Sequence, residues 1–278
     1  MVTTELPETV VTGVSGFLGS ELCRMLVASG QRVLGVSRQP GPDRVTVADY
    51  VDCPASEVIV HAAEQPDRGI VNRSGRDYAN HAAAVIEALL RRTQHLVYVS
   101  SGVVYGDQGE QPFEETAAVH ATDAYAESKL RNEALVLSGN GTVLRLANLY
   151  GQRMAPSNVL SDIRRQVPGN AALLLRDVSP VRDFLGVGDA AHAVQRTIQR
   201  NFRGVLNIGS GVGLSVCAVA ELALRVLGQP GRPVQSSQPS SRRSYNVLDI
   251  RRAREALDWS PTAPVEGLER FFLHGAVH

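Results

Sequence analysis

A tyrosine and a lysine stand four positions apart, at Tyr125 and Lys129 in the stretch YAESK. Residues with this spacing share one face of a helix and lie one turn apart. A phenol has a pKa of about 10 and is a poor acid or base at neutral pH, whereas a neighbouring ammonium stabilises the phenolate. We therefore predict that this pair performs acid–base chemistry.

Lys129 is the only lysine among 28 basic residues, and all the others are arginine. An ammonium is a compact charge that can also donate hydrogen bonds to the ribose hydroxyls of a dinucleotide, in a gap that does not fit the planar guanidinium of arginine. These properties favour a functional lysine. The alternative is that Lys129 is an exposed cation on a helix.

Two serines, Ser100 and Ser101, end an apolar run within residues 96–106, LVYVSSGVVYG. In an open parallel sheet, ligands bind beside the carboxyl ends of the strands. A serine at such an end can hydrogen-bond both a substrate oxygen and the tyrosine, which would orient the acid. The alternative is that these serines only cap or turn the chain.

A glycine-rich stretch, TGVSGFLGS at residues 12–20, follows the first β-rich run and precedes an amphipathic helical pattern. Gly13, Gly16 and Gly19 would permit a tight turn, a close approach of the backbone to a pyrophosphate and tight helix–strand packing. The N-terminus of the following helix would supply free N–H groups and the positive end of its dipole. We predict a dinucleotide site here, and an ordinary glycine-rich loop is the alternative.

The end of the second β-rich run, GVSRQP, indicates which dinucleotide is bound. An NAD site usually has an acidic residue there, which holds the ribose 2′-hydroxyl. This chain has Ser37, which can donate to a 2′-phosphate, followed by Arg38, which can pair with it bidentately. We therefore predict NADP(H) rather than NAD. The alternative is that Arg38 is a solvated surface residue.

Short β-rich runs alternate with helical patterns, which predicts a Rossmann-type α/β fold, a doubly wound parallel sheet covered on both faces. The predicted strands are ETVVTG, QRVLGVS, RVTVA, EVIVHAA, HLVYVSS, GTVLRLAN and GVLNIGSG. The predicted helices are SELCRMLVASG and residues 77–92, 124–137, 159–166, 215–227 and, as the last one, 250–257. The segment between RVTVA and EVIVHAA is too short for a normal crossover helix, and residues 228–244 are either a long loop or a weak strand.

We expect two units. The first is a dinucleotide-binding domain, formed by residues 1–150 and about 184–210. The second is a small substrate-binding lobe, formed by residues 151–183 and 211–278.

The charge balance and composition exclude several classes of protein. Acidic and basic residues number 28 each, so the chain lacks the basic surplus that drives binding to nucleic acids. No apolar run approaches the roughly 18–20 residues of a membrane span, and the first residues lack the pattern of a secretion signal. The seven histidines form no metal-ligand pair such as HExxH.

Cys23, Cys53 and Cys217 show no CxxC spacing and are predicted to be buried, reduced thiols of a cytoplasmic protein.

These stretches together resemble the extended short-chain dehydrogenase/reductase superfamily, and within it the NAD(P)-dependent epimerase/dehydratase family that acts on nucleotide-activated sugars. TGVSGFLGS is similar to the family's TGxxGFxG, VIVHAAE to its HxAA, VYVSSGVVYG to its serine strand and YAESK to its YxxxK. VLRLANLYG, VRDFLGVGDAAHA, GVLNIGSG and LDIRRAREALDWSP also have counterparts. The resemblance spans nearly the whole chain.

By position, the resemblance implies a role for each matching residue. Ser101, which lies four residues before the tyrosine of VYG, would be catalytic together with Tyr125 and Lys129. The cofactor contacts would be Gly13, Gly16, Phe17, Leu18, Gly19, Ser37, Arg38, Asp49 at the adenine edge, Ala62, Ala63 and Lys129. The substrate contacts would be Ser101, Asn148 and, at a diphosphate, Arg182 and Arg243.

Departures from the family pattern narrow the predicted reaction. Gly102 and Val103 follow Ser101 where a sugar 4,6-dehydratase has Asp-Glu, so the acid and base that eliminate water are absent. With Ser37 and Arg38, the resemblance implies NADPH-dependent reduction of a keto group on a nucleotide-activated deoxysugar, such as a dTDP-4-keto-6-deoxyhexose. The alternatives are a nucleotide-sugar 4-epimerase with tightly bound NAD, a ketone without a nucleotide, and a non-catalytic NADP-sensing protein. Relatives also imply a homodimer formed through the second and third predicted helices.

Overall fold

The computed structural model of the protein describes residues 9–274. The strands are β1 (Thr9–Thr12), β2 (Val33–Ser37), β3 (Arg44–Thr46), β4 (Ser56–His61), β5 (Thr93–Ser101), β6 (Thr142–Leu146), β7 (Asn148–Tyr150), β8 (Leu173–Leu175), β9 (Val181–Gly186), β10 (Gly204–Ile208), β11 (Gly213–Ser215), β12 (Val234–Ser236) and β13 (Tyr245–Asn246). The helices are α1 (Phe17–Ala28), α2 (Arg68–Leu90), α3 (Ala124–Ser138), α4 (Val159–Gln166), α5 (Val187–Gln199), α6 (Val216–Val226), α7 (Arg251–Leu257) and α8 (Pro264–His274).

The predicted lack of a secretion signal concerns mainly residues 1–8, which lie outside the described range. Between residues 9 and 274, no helix combines the length and the apolarity needed to cross a membrane.

Seven parallel strands form the central sheet, in the order β10-β6-β5-β4-β1-β2-β3. Leu22 and Leu26 of α1 belong to one apolar cluster against this sheet, whereas Ile86 and Leu89 of α2 belong to another. The predicted Rossmann-type, doubly wound α/β fold is therefore confirmed. The strand order reverses direction between β1 and β4, which is the position at which open α/β sheets bind their ligands.

The local sequence explains the elements around this position. α1 buries Leu18, Leu22 and Leu26, which recur every four residues and form the apolar stripe of an amphipathic helix. The connection from β3 to β4 contains only a 3₁₀ turn, Tyr50–Asp52, as its short length predicts. A second 3₁₀ turn, Gly102–Tyr105, follows β5 directly. The carboxyl ends of β1, β2, β4 and β5 are thereby left open at one edge of the sheet.

A separate apolar cluster lies among the later elements. β9 pairs with β7 and β13 in parallel and with β11 antiparallel, and β12 pairs with β8. The cluster includes Ile163 of α4, Leu173 of β8, Phe184 of β9 and Phe272 of α8. It is consistent with a small second lobe, whose boundaries stay a prediction.

The start of α2 differs from the prediction. The helix begins at Arg68 rather than at residue 77, and it continues across a kink at Gly75, where φ is 53° and ψ is −126°. Two glycines disfavour a helix in this stretch, which is why the sequence pattern did not predict it. The Asp67 carboxylate stabilises the first turn by accepting a hydrogen bond from the Ile70 N–H group.

The second half of the chain contains elements that the sequence prediction lacked. The predicted helix at 250–257 is not the last one, because α8 follows it, and α5 was not predicted at all. α5 is amphipathic, and its buried face, which includes Ala190, Ala193 and Val194, packs against α1. Of the two alternatives for residues 228–244, the strand is present as β12.

The three cysteines have free thiols. Cys53 is buried, and burial raises the pKa of its thiol to about 11. The prediction that all three are buried is wrong for Cys23 and Cys217, which are half-buried.

A buried histidine makes the folding equilibrium depend on pH. His95 on β5 is 2% exposed, and its Nε2 atom lies 2.8 Å from Thr142 Oγ1. Burial, with a smaller contribution from the positive charge of Arg203, lowers the pKa of His95 to about 4. An unfolded histidine titrates near 6.5. The unfolded state therefore binds more protons between these values, and the free energy of unfolding decreases as the pH is lowered from about 6.5 to about 4.

Replacing this residue, His95→Asn, should make the free energy of unfolding less dependent on pH in that window, by up to about 1.4 kcal/mol per pH unit. Urea denaturation at several pH values between 4 and 7, roughly one unit apart, measures this slope. His274→Asn is the control, because His274 is exposed and should leave the slope unchanged. Equal slopes in the wild type and in His95→Asn would contradict the prediction.

Candidate active site

The glycine-rich turn forms a tight backbone cradle at the carboxyl end of β1. Gly13 has a φ of +76°, and a Cβ atom there would lie 2.6 Å from Ala62 O. A Cβ atom at Gly19 would collide with Gly13 O. Gly16 immediately precedes α1, and no side chain caps the first N–H groups of this helix. The cradle therefore requires glycine, and it leaves N–H groups available for a phosphate.

The other residues predicted to contact the cofactor near this cradle differ in whether their side chain or only their backbone can reach it. Phe17 is half-buried at the start of α1, whereas Leu18 points into the core and is 8% exposed, so only its backbone could face a phosphate. Ala62 and Ala63 follow β4, and Ala63 lines a cavity of about 230 Å³ beyond the sheet edge. This cavity lies beside the glycine-rich turn, where the sequence predicts the dinucleotide.

Arg38 is also among the residues that line this cavity. Its guanidinium lies 5.5 Å from the centre of the Tyr50 ring, with which it makes a cation–π contact. Arg38 is exposed and has no carboxylate partner in the described part of the chain. It is therefore free to pair with an anionic group of a ligand.

Ser37 is fully buried at the end of β2. Its hydroxyl donates to Ser15 Oγ at 3.0 Å and accepts a hydrogen bond from the Gln39 N–H group at 2.9 Å. Ser15 is half-buried and belongs to the glycine-rich turn. Ser15 is thus the more accessible of the two hydroxyls. The sequence prediction missed it, although its place inside the glycine-rich turn could have indicated it.

Asp49 already has two partners. Its carboxylate accepts a hydrogen bond from the Val51 N–H group at 3.1 Å and lies 3.2 Å from Nε2 of His81. Its contact with the adenine edge of a cofactor stays a prediction.

Tyr125 lies in the first turn of α3, and two residues fix the start of this helix. Asp123 caps it, accepting a hydrogen bond from the Ala126 N–H group at 2.9 Å. Asn72 of α2 accepts a hydrogen bond from the Tyr125 N–H group at 2.9 Å and donates one to Asp123 at 3.0 Å. The unpredicted first turns of α2 therefore position the tyrosine.

The predicted helical spacing places Lys129 next to the tyrosine. Lys129 Nζ lies 5.7 Å from the centre of the Tyr125 ring and 5.0 Å from that of Tyr98. Lys129 is 5% exposed, so it is not the exposed helical cation of the alternative interpretation. The geometry places an ammonium close enough to stabilise a phenolate.

A buried carboxylate, which the sequence prediction missed, lies against Lys129. Glu64 Oε2 is 2.7 Å from Lys129 Nζ, and Glu64 directly follows the HAA stretch after β4. Burial, the largest single effect, would lower the pKa of Lys129, but the charge of Glu64, the hydrogen bond to it and the neighbouring tyrosines together hold this pKa well above its ordinary value. Burial likewise opposes ionisation of Glu64, yet the Lys129 charge, together with His61 and the hydrogen bonds from Lys129 and Tyr98, holds the pKa of Glu64 below its ordinary value. Both groups are charged at neutral pH.

The two serines at the end of β5 face different surroundings. Ser100 is buried and its hydroxyl donates to the Glu133 carboxylate. Ser101 lines a cavity of about 400 Å³, and its hydroxyl also accepts a long hydrogen bond of 3.3 Å from the Val103 N–H group. Ser101 is therefore the serine that can contact a ligand, and its catalytic role stays a prediction.

Three arginines and one aspartate, Asp107, line the cavity that contains Ser101, which we call the arginine-lined cavity. Asn148, Arg182, Arg68 and Arg242 also line it. Arg68 lies 6.0 Å from the centre of the Tyr125 ring, so this cavity ends close to Tyr125. Clustered guanidinium groups are typical of sites that bind phosphate or carboxylate groups.

The arginines differ in how they are fixed. Arg182 donates to the backbone oxygen of Ser244 at 3.2 Å and to its hydroxyl at 2.6 Å, and Ser244 Oγ donates to Asp107 at 2.7 Å. Arg242 pairs with Asp107 at 2.6 Å. Arg243 instead lies 5.6 Å from the Tyr245 ring and is not among the lining residues, so its diphosphate contact stays a prediction.

The comparisons with known proteins agree with this geometry. The family model described as the NAD dependent epimerase/dehydratase family matches residues 9–209. The chain belongs to this family. It is therefore an enzyme of a group that uses a nicotinamide dinucleotide, and its cradle around Gly13 fits the pyrophosphate of such a cofactor.

Individual members of the family are related to the chain over most of its length. The dTDP-4-keto-6-deoxy-D-glucose reductase of Streptomyces niveus is 28% identical over 89% of this chain and 90% of its own. The UDP-glucose 4-epimerase of Mycolicibacterium smegmatis is 26% identical over 94% of this chain and 96% of its own. The structure of MoeE5 in complex with UDP-glucose and NAD is 26% identical, covers 96% of this chain and 97% of its own, and has a TM-score of 0.80.

The sequence prediction missed five functional candidates: Ser15, Glu64, Arg68, Asp107 and Arg242. Asp107 directly follows the VYG stretch, and Arg242 precedes the predicted Arg243. Both could have been suspected from these neighbours. The sequence contains no comparable indication that Glu64 meets Lys129. In the described range, no group of three or more His, Cys, Asp or Glu residues could hold a metal ion.

A buried carboxylate connects the arginine-lined cavity to the sheet. Asp183, next to Arg182 on β9, is fully buried. It accepts hydrogen bonds from the Ser210 N–H and hydroxyl groups at 2.7 and 2.6 Å and from the Gly211 N–H group at 3.1 Å. Its own backbone oxygen accepts one from Asn148 Nδ2 at 3.2 Å. The Asp183 side chain therefore ties β9 to the turn after β10, and its backbone holds one cavity residue, Asn148.

Replacing Asp183→Asn should lower the free energy of unfolding by about 2–3 kcal/mol, because an amide NH₂ would face N–H donors that now have an acceptor. Urea denaturation measures this loss. Asp162→Asn is the matched control, since Asp162 pairs with Arg165 on the surface of α4 and should cost less than about 1 kcal/mol. A loss at Asp183 no larger than in the control would contradict the role assigned to this carboxylate.

Proposed function

We propose that the protein is an NADPH-dependent reductase of a keto group on a nucleotide-activated deoxysugar, with a dTDP-4-keto-6-deoxyhexose as its substrate class. The observation that carries this proposal is the end of β2. There Ser37 takes the position at which an NAD site has a carboxylate, and the accessible guanidinium of Arg38 faces the adjoining cavity. A 2′-phosphate would be repelled by a carboxylate and attracted by this arginine.

The residues of the chain suit each part of the cofactor. The N–H groups at the start of α1 would receive the pyrophosphate. Arg38 and Ser15 would hold the 2′-phosphate, and Lys129 would donate to the ribose of the nicotinamide half. The nicotinamide, when bound, supplies the hydride for the reaction.

The acid–base residues complete the reduction. Ser101 would hydrogen-bond the substrate carbonyl, and Tyr125 would transfer its phenolic proton to the carbonyl oxygen while the carbonyl carbon gains the hydride. The products are an alcohol and the oxidised cofactor, and Tyr125 then regains a proton from solvent. Lys129 stabilises the transient phenolate from 5.7 Å.

The arginine-lined cavity would hold the nucleotide end of the substrate. Arg182 and Arg242 are fixed by Ser244 and Asp107, so their guanidinium groups are already oriented for a diphosphate. The reductase from Streptomyces niveus carries a dTDP-4-keto sugar in its name and is 28% identical, which supports a nucleotide-linked substrate.

A nucleotide-sugar 4-epimerase is the second candidate, because the UDP-glucose 4-epimerase of Mycolicibacterium smegmatis is 26% identical over nearly the whole chain. The two candidates differ in cofactor stoichiometry. A reductase oxidises one NADPH for each keto sugar that it consumes, whereas an epimerase interconverts two sugars without net oxidation. Absorbance of NADPH, followed with a dTDP-4-keto-6-deoxyhexose and with UDP-glucose, separates them.

Removing the proposed acid tests the mechanism. Tyr125→Phe should lower kcat by at least about a hundredfold, since general acid catalysis contributes this much, and should leave the Kd for NADPH within about twofold. Stopped assays and fluorescence titration measure the two quantities. Tyr150→Phe, a tyrosine of the second apolar cluster, is the control and should keep turnover. Full turnover in Tyr125→Phe would show that another group supplies the proton.

Removing the arginine at the end of β2 tests the cofactor. Arg38→Ala should raise the Kd for NADPH by about ten- to a hundredfold, because the variant loses a charge-assisted contact with the 2′-phosphate. The Kd for NADH should stay nearly unchanged. Calorimetric titration with both dinucleotides measures the difference. Arg24→Ala, an exposed arginine of α1 that pairs with Glu21, is the matched control. An equal effect on both cofactors would exclude a 2′-phosphate contact.

A further inference from the structure

Lys129 is fixed by two internal partners before any ligand binds. Its Nζ atom lies 2.7 Å from Glu64 Oε2 and donates to Val99 O at 2.9 Å. The side chains of Lys129 and Glu64 are 7% and 9% exposed. An ammonium has three N–H donors, so a single donor remains for the ribose of a cofactor and for Tyr125 together.

The carboxylate of Glu64 is equally well fixed. The hydroxyl of Tyr98 lies 2.9 Å from each of its oxygens, and Asn132 Nδ2 donates to Oε1 at 2.7 Å. These partners lie on β5 and α3, so the carboxylate joins two elements to the segment that follows β4. A buried ion pair contributes little stability compared with apolar residues of similar volume. Its place beside the acid–base pair therefore calls for a functional explanation.

The other titratable groups near Lys129 carry no charge at neutral pH. Burial lowers the pKa of His61 to about 4, so this ring is neutral. Burial and the Glu64 charge raise the pKa of Tyr98 well above its ordinary value and that of Tyr78 to about 12. Among these neighbours, Glu64 is therefore the one that presents a charge to Lys129.

The other charged groups near Tyr125 also form a pair. The guanidinium of Arg68, 6.0 Å from the Tyr125 ring centre, donates to Asp123 Oδ2 at 2.6 Å. Each cation beside the phenol is therefore matched by its own carboxylate. The Glu64–Lys129 pair is the buried one, so its charges are the less screened by solvent.

We propose that Glu64 is a positioning residue of the acid–base site. Its carboxylate holds the Lys129 ammonium with one N–H group free, and it offsets part of the ammonium charge that acts on Tyr125. This inference rests on the proposed function, in which Tyr125 is the proton donor. A smaller net positive charge favours the protonated phenol, which is the form that a reduction consumes.

Glu64→Gln tests the inference, because glutamine keeps the shape and one acceptor oxygen but removes the charge. The alkaline limb of the kcat–pH profile should move to lower pH by about one unit, because the Tyr125 phenol and the Lys129 ammonium both lose a negative charge that favours their protonated forms. The Kd for NADPH should stay within about threefold of the wild type, because the remaining Lys129 donor is kept.

Two control variants separate charge from packing. Glu133→Gln removes another buried carboxylate of α3, which pairs with Arg145 at 2.6 Å, and should lower stability without moving the alkaline limb. Tyr98→Phe removes a hydrogen bond to Glu64 but not its charge, and should also leave the limb in place. If Glu64→Gln yields too little folded protein, Glu64→Asp serves instead. It withdraws the charge by one methylene group and should give a smaller shift in the same direction.

A second measurement needs no substrate and distinguishes failure of this inference from failure of the proposed function. The near-ultraviolet absorbance of tyrosinate is titrated for the wild type and for Tyr125→Phe, and their difference reports the Tyr125 phenol. The same difference in the Glu64→Gln background should titrate at lower pH. If it does while no keto sugar is reduced, the role of Glu64 stands and the proposed function fails. An unchanged titration in folded Glu64→Gln protein overturns the inference, whatever the substrate.

Discussion

The proposed cofactor cleft depends on how closely β1 and β4 approach at their carboxyl ends. Their register pairs Thr12 with His61, and the following residues are so close that a Cβ atom at Gly13 would lie 2.6 Å from Ala62 O. Because glycine has no Cβ atom, the chain can turn here and start α1 directly over the edge of the sheet. The remaining parts of the site are arranged around that edge, with the serine strand β5 beside β4 and helix α3, which carries Tyr125 and Lys129, packed against β5.

The buried face of α3 is unusual because it presents charged and polar side chains to the sheet. Lys129 and Glu133 are one helical turn apart and are both buried, and each has an opposite charge within 2.7 Å, Glu64 in one case and Arg145 in the other. Unpaired, either group would carry a large desolvation penalty. The pairing allows the chain to place an ammonium in a dry environment beside Tyr125, where its field is strong. The same arrangement limits that field, since the counterion is equally close to the ammonium.

The arginine-lined cavity depends on a different network, which crosses between the sheet and the later strands. Asp183 ties β9 to the turn after β10, and the neighbouring Arg182 extends into the cavity and is held by Ser244. Ser244 and Arg242 share Asp107, which follows the serine strand. A substrate bound in this cavity would therefore contact residues whose positions are fixed from both sides, which reduces the entropy lost on binding.

Local patterns in the sequence determined much of this protein. Alternating apolar runs predicted the parallel sheet, and the four-residue spacing of Tyr125 and Lys129 predicted that they share a helical face, because both depend on periods of the backbone alone. Only the tertiary structure decided that Glu64 meets Lys129 and that Arg242 rather than Arg243 lines the cavity. Such contacts join residues far apart in the chain or lie in irregular segments, where no period fixes the direction of a side chain. The start of α2 was decided in the same way, since its contacts with α3 outweigh the poor helix propensity of its glycines.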